Sequence, residues 1–374
     1  MSFQIPRPAE PGMPLSEVDT PALLLDLDAF ENNLQRMDES LAGRKLRVRP
    51  HAKSHKCPEI ALRQMAHGAV GVCCQKVTEA EAMVAGGIPD VMVSNEVVGA
   101  RKVERLVALA QRARISVLVD DKNNVAELDT AAAKKGIKLN VLMEVDVGAN
   151  RCGIAPGEPA RELAASIAAS AHLHFRGIHA YQGAAQHVRA SDERRALIER
   201  AVQMVRETIA LLNESGIECE IITGAGTGTY MLEAASELYN EIQPGSYIFM
   251  DADYARNFGE DGQPVHTFAH SLYVWTSVMS HAKPGRAIVD AGLKALSVDS
   301  GMPLVAEPGA EYLGASDEHG ALRVDDASRF PLGRKLRLIP GHCDPTVNLY
   351  DWIVGYRNDR VETVWPITAR GALY

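Results

Sequence analysis

The chain has no run approaching the roughly 18 uncharged apolar residues that a membrane helix requires, and no basic run longer than a few residues. The first absence argues against a membrane-spanning helix. The second, with 39 basic against 48 acidic residues and a net charge of −9, argues against nucleic acid and anionic membranes as partners. Residues 1–20 (MSFQIPRPAEPGMPLSEVDT) hold prolines and acids but no apolar h-region, so they do not read as a signal peptide, and a cytoplasmic location is expected. No C-x-x-C pair occurs among the six cysteines (Cys57, Cys73, Cys74, Cys152, Cys219, Cys343), which argues against a structural zinc and for small buried hydrophobes in a reducing compartment. What is present is an ordinary globular composition, 46% apolar and 23% charged. Its 374 residues suggest two domains, since single cores stop growing at roughly 250–300 residues.

From residue 20 short apolar runs alternate with helical patterns. The strand-like runs are 20–26 (TPALLLD), 46–49, 68–74, 90–94, 115–119, 139–146, 175–181 and 218–223, each but the last followed by a helix. Parallel pairing through right-handed crossovers follows, and eight units predict an α/β fold of the (β/α)₈ barrel type. An open doubly wound sheet is the competitor. It would gather its polar clusters at one switch point, whereas here they follow many strands. After about Tyr254 the rhythm turns to β-rich segments with Gly, Pro and Asp turns. The expected organisation is a barrel over 20–255 and an all-β C-terminal domain over 256–374, joined by 1–19.

Strand ends in a barrel carry its chemistry. The alternation in KLRVRPHAK turns Arg47, Arg49, His51 and Lys53 one way, a row of cations that is costly in an interior without an anion. Lys53, crowded by Arg49, His51, His55 and Lys56, would have its ammonium disfavoured by desolvation and like charge, as a Schiff-base lysine needs; a solvent-facing loop lysine is the plain alternative. Arg47 and Arg49 read as partners of carboxylates such as Glu144 or Asp146. Residues 223–229 (TGAGTGT) form a hydroxyl-bearing glycine turn suited to phosphate, or simply a turn. In GHCDPT, His342 and Asp344 share a face and could hold a divalent ion, or merely hydrogen-bond each other. The SDEHG segment around His319 carries the same ambiguity.

Taken in order, PHAKSHK, GVCCQKV, GANRCG, AYQGAAQH, TGAGTGT, QPGSYIFMDADY, VDAGLKALSVD, SDEHG and PGHCDPT make the chain resemble the D-threonine aldolase and D-serine dehydratase family from about Asp19 to Tyr374. That resemblance implies a pyridoxal 5'-phosphate enzyme of the alanine racemase fold, paired head to tail as a homodimer. Lys53 resembles the lysine that forms the Schiff base. Arg151 matches the arginine near the cofactor's phenolate oxygen, and Gln75 and Tyr181 match residues lining its ring. Thr227, Gly245, Ser246 and Tyr254 match phosphate neighbours, His342 and Asp344 the metal pair, and His187 a histidine near the substrate hydroxyl.

The dehydratase branch typically carries His-x-Cys, suited to zinc. The oxygen ligand of His-x-Asp here suits manganese, magnesium or calcium and favours aldol cleavage of a D-β-hydroxy-α-amino acid to glycine and an aldehyde. The implied chemistry has His187 or a water removing the hydroxyl proton before the Cα–Cβ bond breaks. Elimination of water from D-serine or 3-hydroxy-D-aspartate with release of a keto acid and ammonia, racemisation, and a non-catalytic cofactor carrier are the rivals; the β-rich C-terminal part argues against the last. His319, Arg151 or Arg189 could meet a second substrate carboxylate, as 3-hydroxy-D-aspartate would require.

Overall fold

In a computed structural model, which describes residues 5–374, the chain begins β1 (Ala22–Asp26), α1 (Leu27–Leu41), β2 (Arg47–Val48), α2 (Pro58–Ala66), β3 (Val72–Cys74), α3 (Val77–Ala85), β4 (Asp90–Glu96), α4 (Ala100–Leu109). It continues β5 (Arg114–Val119), α5 (Lys122–Lys135), β6 (Leu139–Glu144), α6 (Glu158–Ala169), β7 (Leu173–Ala180), α7 (Ser191–Glu214), β8 (Ile221–Gly224), α8 (Tyr230–Ala235), β9 (Glu241–Ile242). The helices start and stop where their sequences say. The side chain of Asp121 accepts from the N–H groups of Asn123 and Asn124 to open α5, and Gly136, at φ 63°, closes it.

Strands β2 to β9 form one parallel sheet in the order β2-β9-β8-β7-β6-β5-β4-β3. Its two ends meet: His51 bridges Cys73, Val70 N–H donates to Val48 O at 2.9 Å, and Cys73 N–H donates to Pro50 O at 2.8 Å. The result is a closed (β/α)₈ barrel. Apolar residues on the outer face of the strands pack under the helices, as Val91, Val93, Val117 and Val141 do against Leu106, Leu128 and Leu163.

The remainder is β10 (Leu272–Lys283), β11 (Arg286–Val289), β12 (Leu304–Val305), β13 (Ala310–Ala315), β14 (Gly320–Val324), β15 (Lys335–Ile339), α9 (Cys343–Val347), β16 (Trp352–Arg357) and β17 (Arg360–Pro366). These strands form a second sheet in the order β13-β14-β11-β10-β1-β16-β17, with β15 beside β10 and β12 beside β15. The run 20–26, expected as the first barrel strand, therefore belongs elsewhere. As β1 it pairs antiparallel with β10 (Leu23 opposite Val274) and parallel with β16 (Leu23 opposite Ile353). A continuous apolar run marks burial on both faces, which a barrel strand and a central strand of a covered sheet share. The missing barrel strand is β9, only Glu241 and Ile242, hidden in the sequence by its length and its charge.

That charge explains the row of cations. Arg49 Nε lies 3.0 Å from Glu241 Oε1 and its NH1 lies 2.7 Å from Asp90 Oδ1, joining β9 and β4 across the barrel interior. Arg47 reaches the same glutamate at 3.8 Å. The expected partners Glu144 and Asp146 are wrong because they lie at the other, C-terminal end of the strands, while Glu241 and Asp90 lie level with Arg49. Burial opposes the Arg49 charge, but Glu241 and Asp90 more than restore it, leaving its pKa raised.

Removing one member of a buried ion cluster strands the others without compensation. Arg49→Met is expected to destabilise the chain by about 3–5 kcal/mol in urea unfolding, while the triple change with Glu241→Gln and Asp90→Asn recovers much of that loss. A single variant within about 1 kcal/mol of the parent would show that the cluster is solvated.

Candidate active site

After Val48 the pleat carries Arg49 and His51 inward, and then the chain leaves the strand. Ala52–Ser54 is one 3₁₀ turn whose first N–H groups are capped by His51, Nδ1 accepting from Lys53 N–H at 3.3 Å. This turn lifts Lys53 out of the barrel axis and into a cavity of about 540 Å³ at the C-terminal ends of the strands. Every residue the resemblance singled out reaches that cavity: Lys53, Gln75, Arg151, Tyr181, His187, Thr227, Gly245, Ser246, Tyr254, His342 and Asp344. His319 does not; it lies at the turn before β14, on a separate surface depression. Arg189 is committed elsewhere, with NH1 donating to Asp253 O and Asn257 Oδ1, each at 2.7 Å.

The electrostatics of Lys53 differ from the expectation. Its Nζ lies 2.8 Å from Asp344 Oδ2. The Asp344 carboxylate pushes the amine pKa above its ordinary value, outweighing the desolvation that lowers it. Like charge is also relieved, because burial, with Lys53 adding to it, drives His51 well below the usual imidazole range and holds it neutral. Burial pushes His55 down to about 4. Asp344 itself would be raised by burial, but Lys53 and His342 hold it below the usual carboxylate range.

The glycine turn after β8 is held from behind by Gln186, whose Oε1 accepts from Gly228 N–H at 2.9 Å and whose Nε2 donates to Thr229 Oγ1 at 2.8 Å. A Cβ on Gly226 would fall 2.5 Å from Gln186 Oε1, so a larger residue there would push the Gln186 amide from the hydrogen bonds that hold the turn. Thr227 Oγ1 is buried with no hydrogen-bond partner, and the N–H groups of Gly226 and Thr227 find no acceptor among the described residues. A hydroxyl and two amides left open toward a cavity that also holds a lysine fit a phosphate-bearing aldehyde cofactor.

The metal pair fits its assignment in the same way. His342 Nδ1 lies 2.8 Å from Asp299 Oδ2. A carboxylate only accepts, so Nδ1 carries the proton and Nε2 is left with its lone pair. Asp344 Oδ1 is buried without a partner. Among the described residues no three His, Cys, Asp or Glu side chains converge at metal-binding distances, so the protein offers two ligands and not a closed cage.

Residues that the sequence reading did not assign complete the walls. His51 Nε2 faces Ser94 Oγ at 3.0 Å and the Gln75 amide at 2.9 Å. On the barrel floor His179 Nε2 donates to Gln243 Oε1 at 3.2 Å, and Gln243 Nε2 donates to Thr223 Oγ1 at 2.9 Å. The signal for Gln243 was the period of two from Glu241, which was lost together with β9. Beneath Arg151, which stacks 5.6 Å above the Tyr181 ring, Glu144 lies 3.6 Å from the guanidinium. Glu96 is packed against Glu144 with both its oxygens buried and unpaired.

The alanine racemase N-terminal domain matches residues 25–253 and a serine dehydratase domain matches residues 271–356. The chain belongs to the alanine racemase-like family. The 3-hydroxy-D-aspartate aldolase of Paracoccus denitrificans (strain Pd 1222) is 48% identical, over 98% of this chain and 96% of that protein. The D-threonine aldolase of an Arthrobacter species is 47% identical over 98% and 97%. The crystal structure of D-threonine aldolase from Filomicrobium marinum superposes with a TM-score of 0.95 at 51% identity, covering 98% of this chain and all of that one. Dehydratase relatives are more distant: D-threo-3-hydroxyaspartate dehydratase of a Delftia species is 28% identical over 89% of this chain and 92% of that protein. The fold expected from the strand and helix rhythm is thus the fold of the family. No helix among the described residues is long and apolar enough to cross a membrane.

The Glu96–Glu144 pair has a pH signature. Burial, with Glu144 beside it, raises the Glu96 pKa, so the folded chain keeps a proton that the unfolded chain releases. Bound protons are then more numerous in the folded state, and stability falls as pH rises above the ordinary carboxylate range. Glu96→Gln removes this loss: its urea midpoint should exceed that of the parent increasingly as pH is raised, and two parallel curves would rule the retained proton out.

Proposed function

We propose that the protein is a pyridoxal 5'-phosphate- and divalent-metal-dependent aldolase that cleaves D-β-hydroxy-α-amino acids, D-threonine or 3-hydroxy-D-aspartate among them, to glycine and an aldehyde. The observation that carries this reading is the 2.8 Å contact between Lys53 Nζ and Asp344 Oδ2. With the cofactor bound, a substrate amine would compete with Lys53 for it, and the substrate's β-oxygen lies two carbons from that nitrogen. A carboxylate touching Nζ therefore stands beside the β-oxygen, where carbon–carbon cleavage must begin.

The residues divide the work. Lys53 would hold the cofactor, with Thr227, Gly245, Ser246 and Tyr254 around its phosphate, Arg151 at the phenolate oxygen, and Gln75 and Tyr181 along the ring. The bound cofactor supplies an electron sink for the carbon left behind. His342 and Asp344 would hold manganese or magnesium, whose role is to acidify the hydroxyl as a Lewis acid. Two protein ligands leave several positions to water and substrate, the habit of such hard cations. His187, on the cavity wall, takes the hydroxyl proton at Nε2. The 3₁₀ turn holds Lys53 rigidly against the β-sheet domain, so amine and hydroxyl are oriented together.

Aldolase relatives near 47% identity against 28% for the dehydratase, and His-x-Asp in place of His-x-Cys, support cleavage over elimination. The resemblance also carries a homodimer, and the absence of a signal-peptide pattern in residues 1–20 a cytoplasmic location.

The purified protein incubated with D-threonine and, separately, with 3-hydroxy-D-aspartate is expected to release glycine and the matching aldehyde. EDTA should abolish this and manganese restore it. Asp344→Ala and His342→Ala should lose the metal response, and Lys53→Ala the visible absorbance of the bound cofactor. Ammonia without glycine would instead establish a dehydratase.

A further inference from the structure

The Asp253 carboxylate, in the motif QPGSYIFMDADY, belongs to none of the groups assigned above, yet it is buried and touches two arginines and a histidine. Its Oδ2 lies 2.5 Å from His187 Nδ1. Its Oδ1 is paired with the Arg189 guanidinium and lies 3.4 Å from NH2 of Arg256. Burial would raise the Asp253 carboxyl, but Arg189 and His187 hold it below the usual range. Arg189 is itself anchored on Asn257 Oδ1, and Asn257 Nδ2 donates to Gln186 O at 2.9 Å.

Resting on the aldolase reading, we propose that Asp253 is the positioning residue for His187: it fixes the imidazole as the Nδ1–H tautomer, so that the Nε2 lone pair faces the substrate hydroxyl. The logic is that of donors and acceptors. An ionised carboxylate only accepts, so the nitrogen against it must carry the ring proton. Nε2 has no hydrogen bond to any described residue, and the half-exposed ring borders the cavity. It also lies 5.7 Å from the Tyr254 ring, centroid to centroid, which limits the swing of the imidazole. The two arginines compensate much of the carboxylate's charge, which lessens its tendency to turn His187 into a cation with no lone pair to offer.

The test uses the holoenzyme labelled with ¹⁵N-histidine, His187 being assigned by the signal missing from His187→Gln. In the parent, Nδ1 should show the shift of a protonated nitrogen and Nε2 that of a bare one. Asp253→Asn, whose amide can donate to Nδ1, should move His187 toward the Nε2–H tautomer. In steady-state assays of glycine and aldehyde, it should lower kcat by roughly 100-fold or more with KM within a few-fold. Asp253→Glu should recover part of kcat. Adding His187→Gln to Asp253→Asn should cost nothing further, since residues acting as a unit are not additive.

The opposite tautomer in the parent overturns the proposal whether or not the Asp253 variants fold; Asp253→Asn with parental kcat, or a double variant whose losses multiply, overturns it as well. Should the parent release ammonia instead of glycine, the aldolase reading fails, while the tautomer still decides the role of Asp253.

Discussion

The site depends on one ion pair that crosses the boundary between the two sheets. Lys53 comes from the barrel, on the turn after β2, and Asp344 comes from the first turn of α9 on the other side. Neither half lines the cavity alone: the barrel offers a lysine and open amides, and the β-rich part offers a histidine and a carboxylate. Asp251 keeps the halves in register. It accepts from Tyr254 N–H at 3.0 Å and from Cys343 N–H at 3.1 Å, so the phosphate-side segment and the start of α9 are tied to one buried carboxylate. The apolar packing agrees, since Phe30 and Leu34 of α1 share a core with Leu272 and Val274 of β10. The relation between amine and carboxylate is therefore set by packing, before any ligand binds.

Legibility in the sequence followed the range of the interaction. The strand and helix rhythm is local, and it predicted the barrel with the right number of strands. It placed β1 wrongly because burial on both faces looks the same in either sheet, and it missed β9 because two residues with a buried charge carry no periodicity. The cavity residues could be read because they sit in motifs at strand ends, where Lys53, Arg151, Thr227 and His342 each stand beside recognisable glycine or proline turns. What those residues touch could not be read. The expectation that Lys53 is crowded by like charge considered only its sequence neighbours, whereas its nearest charge is Asp344, 291 positions away by the numbering.

The basic stretch RPHAKSHK divides in the same manner. Arg49 answers carboxylates of the barrel's own interior, and that cluster fills the level below the cavity where cofactor could not reach. His51 stays neutral and serves as a relay of hydrogen bonds to Ser94 and Gln75. Only Lys53 faces the cavity as a cation. A run of positive residues thus resolves into a structural ion cluster, a neutral spacer and one ion-paired amine, and the change from strand to 3₁₀ turn at Ala52 separates the last from the others.

His187 and His342 show how one device can supply two different groups. In both, Nδ1 meets a carboxylate outside the cavity, Asp253 for the first and Asp299 for the second, and Nε2 is left for what binds within. The carboxylates differ in what balances them. Asp253 is compensated by Arg189 and Arg256, whereas Asp299 has a hydroxyl, Ser297 Oγ, at 2.7 Å. Asp299 meets His342 with a charge that hydroxyls alone accompany, and the Nε2 it leaves free suits a ligand for a cation. Asp253, balanced by two arginines, orients the His187 ring, which suits a base that must accept a proton and then release it. Fixing each tautomer in advance spares the rearrangement that a free imidazole would make at the moment of reaction. That both carboxylates lie in loops remote in sequence from their histidines is why the histidines were visible in the chain and their differing roles were not.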